Sequence, residues 1–383
     1  MSQVSKLAGP RADTRGEEHH RAMGERLVAW YREHGREMPW RKDPRDPYAV
    51  WISEVMLQQT RVVSVAPYYE RFLAQFPNVH ALARARLDDV LAAWSGLGYY
   101  RRARGLHAAA LQIVSRFAGR IPATVEELMS LPGVGRYTAS AIASLAYGAP
   151  VAVVDGNVSR VVARILALRE PIDDRRTRRL IESCADAMLA RDAPGAFNEA
   201  MMDLGATVCT PRDPACSGCP LRGGCEAFAR SLQGEVPVMP PRRASPRVRS
   251  CALVVLRGND VLVARRRSPG QFGGMWEPPR IDGGRSAARR SLLAGAVGAR
   301  HWTDCGVIEH VLTHRVLAVQ VLCARVGRAE AVAIEALPAD YDRAEWCEMG
   351  KLGERGVSVL ARRVIALATS STGATGVERS GAT

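Results

Sequence analysis

Between Gly234 and Ser250 the texture of the chain changes, and that change limits the available folds more than any other feature. Pro237, Pro240, Pro241 and Pro246 lie there among Arg242, Arg243, Arg247 and Arg249. Proline can neither continue a helix nor complete a ladder, so the stretch reads as an extended, basic linker. Before it, from about Ala22, apolar residues recur at helical spacing. After it they come in short, β-rich runs. A chain of 383 residues divided in this way is expected to form two domains, each with its own core. The fold class is multi-domain, an all-helical domain followed by an α/β domain. The expected boundaries are a disordered tail over 1–20, the helical domain over 21–232, the linker over 233–249, the α/β domain over 250–367 and a Ser/Gly/Thr-rich disordered tail over 368–383. No internal repeat is visible.

Within the helical region a first segment follows Pro47, with Val50, Trp51, Val55 and Leu57. Another opens at Thr124, where Thr124-x-x-Glu127 makes a capping box. A third follows Gly135, with Ala139, Ile142 and Leu145, and a fourth follows Asp155, with Val158, Val161, Val162 and Ile165 on one face. Within the β-rich region Cys251–Leu256 and Val261–Arg265 flank Gly258-Asn259-Asp260, a hairpin signature, and Val311–Leu322 reads as a further strand region.

Leu131-Pro132-Gly133-Val134-Gly135 sits between two of the predicted helices. Gly133 and Gly135 permit a tight turn and close backbone approach. The helix that follows begins with unpaired N–H groups at its positive dipole end, which binds phosphate without a charged side chain. Such a helix–hairpin–helix holds a DNA backbone and carries no sequence code. The formal net charge of +14 agrees, since it favours a polyanionic partner. The first twenty residues lack an apolar signal core, and no run approaches the roughly 18 apolar residues of a membrane span. An intracellular, cytoplasmic protein with no membrane partner is expected.

Asp155 stands at the start of an amphipathic helix, where a carboxylate that accepts backbone N–H bonds is favoured in its ionised form. Glu54 falls on a largely apolar helical stripe, where partial desolvation favours the protonated form. Two carboxyls held apart in pKa can divide the work of breaking a glycosidic bond: one protonates the leaving group and the other steadies the sugar cation. Cys209, Cys216, Cys219 and Cys225 follow the spacing Cys-x6-Cys-x2-Cys-x5-Cys. Four thiolates so close can clasp a [4Fe–4S] cube or one Zn²⁺, and generic chemistry does not choose between them. Cys184, Cys251, Cys305, Cys323 and Cys347 are scattered and read as structural.

Residues 39–225 resemble the endonuclease III superfamily of DNA glycosylases. The strings Ser53-Glu54-Val55-Met56-Leu57-Gln58-Gln59-Thr60, Gly96-Leu97-Gly98-Tyr99-Tyr100 and Met201-Met202-Asp203-Leu204-Gly205 are similar to its MutY-type adenine-removing branch. The resemblance implies base-excision repair on double-stranded DNA with adenine opposite 8-oxoguanine or guanine, by a monomer at the nucleoid. It implies Glu54 as general acid, Asp155 as the carboxylate facing the sugar cation, and a [4Fe–4S] cluster on the four cysteines. Tyr137 stands where bifunctional members carry a Schiff-base lysine, which implies a monofunctional enzyme. Gln58, Gln59, Thr60 and Tyr99 match residues that contact or wedge the duplex near the opposite base. Trp40, Arg41 and Glu199 match the adenine pocket, while Gly133, Gly135 and Asn157 match the DNA-holding hairpin and the helix after it. From about Ser250 the chain is similar to the Nudix-like domain appended to these enzymes. Gly273-Gly274-Met275-Trp276-Glu277 carries that likeness. No Glu occurs between Ile281 and Ile308, and Arg289 and Arg290 stand where Mg²⁺-binding acids would be wanted, so no diphosphate hydrolysis is expected. Leu312, Thr313 and His314 match the loop that reads 8-oxoguanine, with Leu312 replacing an aromatic.

Overall fold

The computed structural model describes residues 14–240, 244–283, 301–327 and 337–373. The sequence expectations for 1–13, 284–300 and 374–383, Arg289 and Arg290 included, lie outside the described residues. Two compact units emerge: the described residues of Met1–Gln58 with Arg120–Arg242, and those of Gln59–Gly119 with Arg243–Thr383. Among the described residues no helix is long and apolar enough to cross a membrane.

The first unit is helical. It holds α1 (Thr14–His34), α2 (Pro47–Leu57), α7 (Val125–Met129), α8 (Arg136–Tyr147), α9 (Gly156–Ile165), α10 (Arg175–Ala187), α11 (Pro194–Thr207) and the short α12 (Glu226–Ala229). Met23, Leu27 and Val28 of α1 pack with Val158, Val161 and Val162 of α9 and Phe197, Met201 and Leu204 of α11 in one core. That anchoring extends α1 back to Thr14, so residues 14–20, expected as tail, are helical. In α2 the apolar character runs all round the helix, and Val50 through Met56 are buried without a gap. Asp46 starts α2 by accepting the Tyr48 N–H at 3.0 Å.

Among its described residues the second unit holds α3 (Val62–Gln75), α4 (Val79–Arg84), α5 (Leu87–Ala93) and α6 (Arg101–Arg116), a seven-stranded sheet, and α13 (Val359–Gly373). The strands are β1 (Arg247–Arg257), β2 (Asp260–Arg266), β3 (Trp276–Glu277), β4 (Arg280–Asp282), β5 (Thr303–Leu312), β6 (Arg315–Arg325) and β7 (Tyr341–Glu348). The sheet order is β3-β2-β1-β6-β5, with β4 paired to β1 and β7 to β2; β1 and β6 run parallel. The Gly258-Asn259 turn joins β1 to β2 as its sequence predicts, with Arg257 opposite Asp260. The strand region expected over Val311–Leu322 comprises the end of β5, a two-residue turn at Thr313 and His314, and most of β6, with Leu312 opposite Arg315. Thr-His carries none of the Gly or Asn that announces a tight turn. Residues 368–373, expected as tail, continue α13, whose Ala368 is fully buried.

Candidate active site

In the first unit α2 carries Glu54 into the interior, where its residue surface is 4% exposed. The hydroxyl of Tyr137, on the first turn of α8, donates to Glu54 Oε2 at 3.3 Å. Burial pushes the Glu54 carboxyl up to about 7; the Tyr137 bond opposes that rise, and the charges of Glu199 and Asp155 add to it. Burial, with the Glu54 and Asp155 carboxyls beside it, holds Tyr137 protonated, its pKa well above the ordinary phenol value. The site therefore joins an acid poised near neutrality to a phenol that stays neutral.

Asp155 caps α9 as its position predicts. Its Oδ1 accepts the Val158 N–H at 2.7 Å, and Asn157 Nδ2 donates to Oδ2 at 3.1 Å. The ionised form of Asp155 that the cap was expected to favour meets an opposing influence. Burial raises its pKa above the ordinary value, against the donors of Val158 and Asn157. From Asn157 a chain of hydrogen bonds leads on: Arg160 Nη2 donates to Asn157 Oδ1 at 2.9 Å and Arg160 Nε to the Cys209 carbonyl at 2.9 Å.

The hairpin is built as a turn with its apolar residues turned in. Leu131 and Val134 are buried, whereas Pro132, Gly133, Gly135 and Arg136 are exposed. Gly133 has φ of 78°, a left-handed value that suits glycine. Gly135 is the N-cap of α8, and a Cβ there would meet nothing within 4 Å. The backbone is thus open on the side where an anion would approach the first N–H groups of α8. Thr124 caps α7 by accepting the Glu127 N–H at 3.3 Å, and its hydroxyl donates to the Glu127 carboxylate at 3.0 Å.

Arg41 and Glu199 lie together, but in a cluster larger than the sequence suggested. Arg41 Nε is 3.2 Å from Glu199 Oε1, and its terminal nitrogens donate to both oxygens of Asp203 at 2.8 and 3.0 Å. Arg36 binds Asp203 as well, at 2.6 Å, while Arg45 and the Tyr31 hydroxyl both reach Glu199 Oε2 at 2.9 Å. Burial acts to raise the Asp203 pKa, but the bonds from Arg41 and Arg36 hold it below the ordinary value. Tyr31, Arg36, Arg45 and Asp203 escaped sequence reasoning. Asp203 lies inside the family-like string Met201–Gly205, and three arginines within ten residues of the chain were the available signal. Trp40 beside them is buried. Gln58 ends α2 and donates to Thr138 Oγ1 at 2.9 Å, tying α2 to α8.

Cys209, Cys216, Cys219 and Cys225 line one small cavity with Arg164, Arg222 and Phe228. All four thiols are free and half-buried. Arg164 donates to Cys209 Sγ at 3.2 Å and to the Thr210 carbonyl at 2.7 Å. Among the described residues no three His, Cys, Asp or Glu side chains stand as they would around a single ion. Arg212 and Arg222 are exposed on the loop.

In the second unit Tyr99 and Thr313, 214 residues apart, meet through their hydroxyls at 2.7 Å. Tyr99 is 43% exposed with φ of 48°, and His314 is exposed beside Thr313 at the β5–β6 turn. Thr60 accepts from Arg102 at 3.0 Å, and the neighbouring Gln59 is exposed with φ of 56°.

Residues 52–186 match the HhH-GPD superfamily of base excision DNA repair proteins, and residues 251–367 match the NUDIX domain. The chain is 36% identical over 356 residues to the adenine DNA glycosylase of Homo sapiens, covering 77% of this chain and 65% of that protein. With the Mus musculus adenine DNA glycosylase it shares 34% over 369 residues, 81% of this chain and 72% of the relative. The structure of a thermostable thymine-DNA glycosylase superimposes with a TM-score of 0.52 at 25% identity, over 57% of this chain and 100% of the other. The chain thus spans about two thirds of the length of its human relative.

Proposed function

We propose, for a chain that belongs to the adenine DNA glycosylase family, that it removes adenine standing opposite 8-oxoguanine or guanine in double-stranded DNA by acid-assisted hydrolysis of the N-glycosidic bond. The observation that carries this reading is the buried Glu54 carboxyl, lifted to about 7 with only a phenol bonded to it. A carboxyl at that value is an effective proton donor at neutral pH. It delivers its proton to a ring nitrogen of adenine, so that the base leaves neutral as the C–N bond breaks. Asp155 faces the sugar cation, and its bonds from Val158 and Asn157 favour the anion that role needs. Water then adds to the sugar and gives up its proton. With Tyr137 in the place of a lysine there is no amine to form a Schiff base, so the reaction ends at base release.

The remaining residues serve recognition. Gly133 and Gly135 let the α8 N–H groups take a backbone phosphate, and Trp40, Arg41 and Glu199 line the adenine pocket. Tyr99 wedges the stack, Gln58, Gln59 and Thr60 lie at the opposite base, and Thr313 and His314 read 8-oxoguanine. Residues 21–232 then form the base-removing domain and 250–367 the domain that reads the opposite base, in a monomer working at the nucleoid in the cytoplasm.

Cys209, Cys216, Cys219 and Cys225 are the ligands of a [4Fe–4S] cluster in this reading. A cube spreads its four thiolates wider than one tetrahedral ion does, which suits four cysteines that line one cavity without forming a single-ion site among the described residues. Arg164 adds a donor at Cys209 Sγ beside that cavity. Held by these four residues, a cluster would fix the loop on which Arg212 and Arg222 meet DNA phosphate.

The test is single-turnover adenine release from duplexes with adenine opposite 8-oxoguanine and opposite thymine. Release from the first alone is expected. Equal release from both removes opposite-base reading, and release from neither, with binding intact, removes the adenine substrate.

A further inference from the structure

Tyr99 stands on backbone that its own sequence does not stabilise. Gly96, Gly98 and Tyr99 have φ of 110°, 72° and 48°. Glycine adopts such angles freely, whereas a residue with a Cβ is held there at a cost of roughly 1 kcal/mol or more. Other contacts must therefore keep Tyr99 in place, and Arg102 on α6 makes them.

Arg102 is only 9% exposed. Its guanidinium packs on two rings, with the central carbon 5.2 Å from the Tyr99 centroid and 5.4 Å from that of Trp94. Nη2 donates to Thr60 Oγ1 at 3.0 Å and lies 3.5 and 3.4 Å from the carbonyl oxygens of Leu97 and Gly98. The Arg102 backbone N–H donates to the Tyr99 carbonyl at 2.8 Å, and the Trp94 indole donates to the Gly98 carbonyl at 3.1 Å. One planar cation thus joins the Thr60 loop, the left-handed turn and the Tyr99 ring. The far end of that ring meets Thr313 at 2.7 Å. Burying the cation is costly, as the downward pull of burial on its pKa shows.

We propose that Arg102 is the positioning residue for Tyr99, holding the ring aimed at the base stack so that the duplex can be opened at the target adenine. This rests on the reading of Tyr99 as the wedge. Arginine suits the task because a flat, weakly hydrated guanidinium can stack on a ring and donate hydrogen bonds in its plane at once. A lysine ammonium is a compact, strongly hydrated point charge and cannot do both.

A positioning role in base extrusion separates from a general structural role on a substrate whose extrusion costs less. Arg102→Lys, Arg102→Met and Tyr99→Ala are compared in single-turnover adenine release from two duplexes. In one the adenine is opposite 8-oxoguanine; in the other it is opposite an abasic site, where no base pair has to be broken and extrusion costs less. Loss of two ring–cation contacts is expected to slow both Arg102 variants about tenfold or more on the paired duplex. On the abasic duplex their rates stay within about threefold of the unaltered enzyme, since less opening is asked of them there. With 2-aminopurine at the target position, the fluorescence rise on extrusion falls in parallel. Equal losses on the two duplexes, or no loss on the paired one while Tyr99→Ala is slow, overturn the role of Arg102 and leave the wedge standing. Undiminished release by Tyr99→Ala from the paired duplex overturns the wedge and this inference with it.

Discussion

Among the buried glutamates that accept a hydrogen bond from a tyrosine, one in each unit makes an instructive pair. In the helical unit Tyr137 donates to Glu54 at 3.3 Å; in the sheet-containing unit Tyr341 donates to Glu277 at 2.8 Å. Glu54 is 4% exposed and Glu277 2%, so burial does not distinguish them. Their cations do. The Arg266 guanidinium binds Glu277, and Arg280 Nε lies 3.6 Å from it. Around Glu54 the nearby Arg41 is instead engaged by Glu199 and Asp203, so its charge reaches Glu54 only as a minor, lowering influence. The same residue pair thus stands in two settings: at Glu54 the nearby arginine is committed elsewhere, and at Glu277 an arginine is bonded to the carboxyl. Depth does not separate the two carboxyls; the counter-charge around them does.

The largest expected contrast lies in rate. Glu54→Gln should slow adenine release by about 10²–10⁴-fold, the usual range for a general acid, with DNA binding retained. Glu277→Gln should leave the rate of base release close to that of the unaltered enzyme. A comparable loss in the second variant breaks the contrast. Stability should move the other way. Glu277→Gln leaves buried arginines short of charge and should cost about 3–5 kcal/mol in denaturant unfolding. For Glu54 the sign is opposite. Its folded pKa of about 7 lies above the ordinary value of 4.5, so between those values the folded state binds more protons and stability falls as pH rises. The full effect is on the order of 3 kcal/mol. Glu54→Gln should therefore be the more stable protein at pH 8 and show no advantage at pH 4, measured by unfolding at both.

Much of this site was legible in the sequence where chemistry is written in short strings. The Asp155 cap, the hairpin glycines and the Gly258 turn are local, and the chain forms them as their residues predict. Glu54 was legible because helical periodicity placed it on an apolar stripe, and the structure buries it. What local patterns cannot carry is pairing over long separations. The contacts of Arg36 and Arg41 with Asp203 span 167 and 162 residues, and that of Tyr99 with Thr313 spans 214. The Thr313–His314 turn was legible only through the resemblance, which matches it to a loop. Its residues have no strong turn preference, and the long pairing of β5 with β6 imposes the reversal. Burial of Asp155 was also invisible, since it depends on packing beyond its own helix.

The smallest effect sharpens the comparison at its centre. As a general acid, Glu54 must be protonated, so the rate of base release should fall as pH rises through about 7, by about tenfold per unit beyond it. The Tyr137 hydroxyl bond favours the carboxylate and holds that value down. Tyr137→Phe removes the bond and keeps the ring, so the Glu54 pKa should rise and the falling limb should move to higher pH. At pH 6, where Glu54 is already largely protonated in both proteins, the two rates should nearly agree; at pH 8 the variant should be the faster. A limb displaced to lower pH would mean that the phenol stabilises the protonated acid, and that the missing arginine alone does not explain why Glu54 and Glu277 differ.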